Sequence, residues 1–82
     1  MNTYHREILI ASLEGRQKEI TEYQVNIDNF RLAIEAIGED VELQSFKSQL
    51  QELLASSLLE QKKAKIMLGV IEAQLNEVND VR

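Results

Sequence analysis

The chain has 82 residues, no cysteine, one histidine and a formal net charge of −5, with 28% charged residues of both signs. That length allows one domain at most, and the lack of cysteine with a single histidine excludes a disulfide framework or a Cys/His metal staple as the source of stability. The acidic balance argues against a nonspecific nucleic-acid binder, which needs a basic excess to neutralise phosphates.

There is no proline and there are only three glycines, so little interrupts a helix. Helix 1 is predicted over residues 3–37. Asn2 or Thr3 can cap the free amides of its first turn, and Glu7 is placed to oppose the helix dipole. Its apolar residues form two series at seven-residue spacing: Leu13, Ile20, Ile27 and Ile34, interleaved with Leu9, Tyr23, Phe30 and Ile37. That 3-4 alternation is the seam of a helix facing another helix.

Residues 38–40, Gly38-Glu39-Asp40, form the predicted turn. Gly38 suits the left-handed position after a helix end, and Asp40 suits the N-cap of the next helix, with Glu42 complementing its dipole. Helix 2 is predicted over residues 41–79, with Asp80, Val81 and Arg82 fraying. Its seam reads Leu43, Phe46, Leu50, Leu53 or Leu54, Ala64, Leu68, Ile71, Leu75 and Val78. A link this short leaves only an antiparallel neighbour as destination. The fold class is therefore all-α, an antiparallel two-helix hairpin of coiled-coil character.

Folding about Glu39 sets Ile34 against Leu43 and Phe46, Phe30 against Phe46 and Leu50, and Ile27 against Leu50 and Leu53. Further from the turn it sets Ile20 against Leu58, Leu13 against Ala64, Leu9 against Leu68, and Tyr4 against Leu75. Arg16 interrupts the seam of helix 1, with Gln17 and Gln24 beside it; Ser57, Glu60 and Gln61 lie near the same height on helix 2. Two readings stand. Either Arg16 extends to solvent and pairs with Glu60, or the polar layer fixes register or oligomeric state.

A single hairpin is mostly surface, so self-association into a four-helix bundle, in the simplest case a homodimer, is expected. On a helical wheel Ala55, Leu59, Ile66, Val70 and Ala73 gather opposite the seam of helix 2 and form the candidate self-association stripe. Helix 1 shows a thinner row in Val25, Leu32 and Ala36. Gly69 and Gly15, glycines inside helices, suit close helix approach or a bendable spot.

No catalytic constellation emerges, so the expectation is a protein that is not an enzyme, with no cofactor, metal or small-molecule substrate. His5 is the lone histidine in a terminal turn, and no serine has a base in evident reach. Glu-x-x-His, His-Glu-x-x-His, EF-hand and Gly-rich phosphate motifs are all missing from the sequence. Lys62, Lys63 and Lys65 form a short basic run without aromatic neighbours and read as a solvated face. Glu35, Glu39, Asp40 and Glu42 collect at the turn and form the candidate partner-binding site.

The longest apolar runs, Ile8–Ala11 and Met67–Ile71, fall far short of the roughly 20 residues a membrane span needs. Met1-Asn2-Thr3-Tyr4-His5 lacks a basic region followed by an apolar one, so no secretory signal and a cytoplasmic location are expected. The functional expectation is a protein–protein interaction module: an adaptor, a chaperone or an inhibitor of a larger protein. A structural assembly component and an acidic nucleic-acid mimic are the alternatives. A short, acidic chain without cysteine or catalytic motifs also fits a phage or mobile-element accessory protein.

Overall fold

A computed structural model describes residues 3–80. Two helices account for nearly all of it: α1, Thr3–Ile37, and α2, Gln44–Asp80. They pack against each other as an antiparallel hairpin about 64 Å long and 14 by 13 Å across. No strand occurs among the described residues. The predicted all-α hairpin is therefore the observed architecture, and α1 has the predicted bounds. The proposed cap at Asn2 and the expected fraying at Val81 and Arg82 lie outside the described residues, while Asp80 closes α2 rather than fraying from it. Glu7 falls beyond the first turn of α1, which contains no acidic residue.

The turn is built as its residues suggest, with one addition. Gly38 adopts φ +52°, the left-handed conformation that side chains disfavour. Its amide bonds back to the Ile34 carbonyl at 3.2 Å. The Asp40 side chain accepts from the Glu42 amide at 3.0 Å and caps a 3₁₀ turn, Val41–Leu43. Only at Gln44 does the α-helix begin. Gln44 Nε2 donates to the Asp40 carbonyl at 2.7 Å, and Lys47 Nζ to the Gly38 carbonyl at 2.9 Å.

That extra 3₁₀ turn moves the whole register. A 3₁₀ segment rises about 2.0 Å per residue and completes each turn in about three residues, fewer than an α-helix needs. The seam of α2 therefore runs through Lys47, Leu50, Leu54, Ser57, Gln61, Ala64, Leu68, Ile71, Leu75 and Val78, all buried or half-buried. Leu43, Phe46 and Leu53, expected on the seam, are exposed instead, as is Leu58. The expected cross-helix partners shift with them. Leu9 clusters with Ile71 and Leu75 rather than meeting Leu68, and Tyr4 is exposed rather than packed on Leu75. On α1 the expected seam holds throughout, from Leu9 to Ile37, with Ile27 the most buried large side chain at 1% exposure.

Candidate interaction surfaces

The polar layer of the seam fixes how the two helices present their outer surfaces. Gln61, from α2, is 6% exposed and donates to the Ile20 carbonyl at 3.2 Å and to Gln24 Oε1 at 2.9 Å. No buried side-chain nitrogen or oxygen among the described residues is left without a partner. Arg16 does not reach Glu60. It pairs with Glu19 on its own helix at 3.0 Å, and Glu60 pairs with Lys63 at 3.0 Å. The expected Arg16–Glu60 bridge is thus replaced by two pairs within single helices, because the register lies about one turn away from the expected one.

The seam divides the rod into two unlike flanks. On one flank, Gln51, Leu58, Lys65 and Glu72 of α2 lie beside Gln17, Gln24 and Arg31 of α1, a mostly polar edge. On the other, Phe46, Leu53, Glu60, Met67 and Gln74 of α2 recur every seven residues and share a side with Ser12, Glu19, Asn26 and Ala33 of α1. Met67 and Ile71 line an open groove on this second flank with Ser12, Gly15, Arg16 and Glu19 of α1. Phe46 is 48% exposed and Leu53 is 50% exposed, so large apolar side chains stand on this flank without cover. Sequence reasoning assigned both to the hairpin seam. Their spacing with Leu43 and Leu50 is itself a 3-4-3 pattern, and only the offset introduced by the 3₁₀ turn separates the two readings.

The expected self-association stripe is on the surface. Leu59, Ile66 and Val70 are exposed, Ile66 to 62%, and Ala55 and Ala73 are exposed beside them. They belong to the side of α2 that faces away from α1. Val25, Leu32 and Ala36 face away on the outer side of α1, so the two rows diverge and form no common surface. Neither Gly15 nor Gly69 serves close packing within the hairpin, since a Cβ added at either would meet nothing within 4 Å.

The acidic residues of the turn, Glu35, Glu39, Asp40 and Glu42, are all exposed and grouped at one end of the rod. They are not equivalent. Asp40 is committed to capping, and the Lys47 ammonium on the Gly38 carbonyl places a positive charge within the same end. Glu35, Glu39 and Glu42 remain as projecting carboxylates. No group of three or more potential metal ligands occurs among the described residues, and no helix of the hairpin is long and apolar enough to cross a membrane. The chain matches no protein-family model, no curated protein and no solved structure, so the functional reading rests on its own surfaces.

Proposed function

We propose that the chain is a non-enzymatic protein–protein interaction module acting in the cytoplasm, an adaptor, chaperone or inhibitor whose working parts are its exposed surfaces. One observation carries the reading. Seven large apolar side chains of α2, Phe46, Leu53, Leu58, Leu59, Ile66, Met67 and Val70, are exposed on a rod that uses only one narrow seam to hold itself together. Isolated exposed apolar residues are normal, but rows of them repeated along a helix are the usual mark of helix-in-groove or helix-on-helix recognition. The acidic turn adds a second feature that a basic partner surface would complement.

Affinity capture with the full chain followed by mass spectrometry tests this. Recovery of one defined partner, lost when Leu59 and Ile66 are both changed to Glu or when the turn carboxylates are reversed, supports the module. Assembly into large homogeneous particles without a second protein favours a structural component instead. Partners that normally bind DNA, displaced by DNA and by salt, favour an acidic mimic.

A further inference from the structure

We propose that the turn end of the hairpin is a two-state device. In its second state residues 43–57 rotate about their own helix axis, carrying Phe46 and Leu53 into the seam and Lys47 and Leu54 out of it. Residues 61–78 keep their places. The device belongs to the hairpin itself and operates whether or not a partner binds.

The two halves of α2 disagree about which side faces α1. Away from the turn the seam residues Ala64, Leu68, Ile71, Leu75 and Val78 are all apolar, and the clustered core of Leu9, Ile71 and Leu75 lies there. Near the turn the seam instead takes in Lys47 and Ser57, both half-buried, around Leu50 and Leu54. The adjoining side of the helix carries Leu43, Phe46 and Leu53, exposed to 40%, 48% and 50%. On α1, Phe30 and Ile34 at the same end are only half-buried. An orientation that satisfies the far end thus leaves the turn end with polar residues in its seam and apolar ones in water, which favours turning them in.

Both halves can be satisfied without breaking the helix. Phe46, Leu50, Leu53, Ser57, Gln61 and Ala64 follow one another at spacings of 4, 3, 4, 4 and 3 residues. The repeated 4 makes the step from Leu53 to Ala64 a single 11-residue repeat. Its period is about 3.67 residues per turn, close to the roughly 3.6 of an undistorted α-helix. An insertion of this kind locally unwinds a coiled coil and rotates one part of a helix relative to the rest. Leu50, Ser57 and Gln61 lie on both paths, so Gln61 keeps its bonds to Ile20 and Gln24 in either state.

What holds the first state is equally specific. Leu54 is half-buried in it, and Lys47 Nζ and Gln44 Nε2 reach the Gly38 carbonyl at 2.9 and 3.3 Å. Rotation takes Lys47 off that carbonyl, where water can replace it. It also removes one large apolar side chain from the seam and brings in two. These opposing changes leave the second state as a minor population, about 0.1–10%. The device decides whether Phe46 and Leu53 are offered on the flank or kept inside, so a partner that grips them would hold the first state.

NMR relaxation dispersion and saturation transfer on the full chain test this, since helix register shifts fall in the microsecond-to-millisecond range. Exchange is expected at the methyl groups of Leu43, Leu53 and Leu54, and of Ile34 and Ile37 on α1. None is expected at Leu68, Ile71 and Leu75. The minor-state Cα shifts of residues 44–57 are expected to stay helical. Phe46→Gln combined with Leu53→Gln takes away the apolar surface that drives the rotation, and the exchange is expected to vanish. Both side chains are about half exposed, so this variant keeps the fold. Leu54→Gln weakens the first state only, and is expected to raise the minor population about fivefold. Flat profiles at the turn end of the wild type overturn the proposal. Random-coil shifts in the minor state overturn it too, because they would mark fraying in place of rotation. So does exchange that persists unchanged in the double variant, or a minor population in Leu54→Gln no larger than that of the wild type.

Discussion

The side-chain amide of Gln61 stands 2.9 Å from Gln24 Oε1 and ties the middle of α2 to α1 across the seam. The same nitrogen reaches the Ile20 carbonyl at 3.2 Å, so one buried amide holds two acceptors on the opposite helix. A slide of either helix by one turn would carry Gln61 away from both and leave its amide facing apolar neighbours. An unpaired buried polar group costs about 1–3 kcal/mol, more than most single contacts in a molecule this small contribute. Gln61 therefore selects a register that the apolar residues alone leave ambiguous.

Selecting a register is different from adding stability. Gln61→Leu continues the apolar row between Leu54 and Leu68 and replaces two neutral hydrogen bonds, each worth about 0.5–1.5 kcal/mol net, with full burial of a Leu side chain, worth about 1.5–3 kcal/mol. Gln24 is exposed and can turn to water. The two contributions nearly cancel, so the Leu variant is expected to be at least as stable as the wild type, by no more than about 0.5 kcal/mol, with a melting midpoint at most about 4 °C higher. Gln61→Ala, which loses both the bonds and the volume, is expected to melt lower than the wild type. A Leu variant that melts below the wild type would show that the amide is a net stabiliser.

The same layer explains how far the fold could be read from the residues. On α1 every seam position from Leu9 to Ile37 except Arg16 is apolar, and the periodic pattern has a single solution. On the C-terminal half of α2, from Ala64 to Val78, it has one as well. Between Leu43 and Gln61 it has two. Leu43, Phe46, Leu50 and Leu53 give the more apolar path, while Lys47, Leu50, Leu54, Ser57 and Gln61 give the one the protein adopts. Hydrophobic spacing favours the first path, and nothing in it encodes the 3₁₀ turn at Val41–Leu43 that rotates α2 onto the second. The apolar flank was hidden for the same reason: residues assigned to the seam could not also be seen as surface. The outer stripe and the acidic turn needed no register, and both are found exposed as expected.

Burial differs sharply between residues of similar type, and this gives a second prediction. Ile27 is almost fully enclosed, and Ile27→Ala is expected to cost about 2–5 kcal/mol through lost burial and the cavity left behind. Leu32 projects from the outer side of α1, and Leu32→Ala is expected to change stability by no more than about 0.5 kcal/mol. Urea unfolding monitored at the helical signal measures both. Equal shifts in midpoint would mean that α1 is rotated from the orientation described.

The glycines separate in the same way. Gly38 holds a left-handed conformation, so Gly38→Ala is expected to destabilise by about 1–2 kcal/mol, although its added Cβ would approach only the Glu35 carbonyl at an ordinary 3.8 Å. The cost is conformational, not steric. Gly69 lies inside α2 with open space where a Cβ would stand, so Gly69→Ala is expected to stabilise by up to about 1 kcal/mol through helix propensity and a less flexible unfolded chain. Thermal melts of the two variants should move in opposite directions. If Gly69→Ala melts lower, something packs closely on that face.

The internal bonding of the acidic turn decides which of its residues to change in a test of partner binding. Asp40 caps the 3₁₀ turn through the Glu42 amide, so replacing it would alter the fold as well as the charge; Asp40→Ala alone is expected to cost about 1 kcal/mol. Glu35, Glu39 and Glu42 carry no such bond from their side chains among the contacts of the turn, and reversing all three to Lys changes the field while leaving the cap. Exposed charges act over roughly 8 Å at physiological salt and steer encounter more than they deepen affinity. Binding of the triple variant to a partner captured by the unaltered chain is expected to show a slower association rate, a weaker salt dependence of that rate, and little change in dissociation. The mass of the free protein should not change, because the three carboxylates are exposed at the end of the rod, away from the seam and from the outer stripe of α2. Association kinetics equal to those of the unaltered chain would show that the carboxylates of the turn are simply solvated.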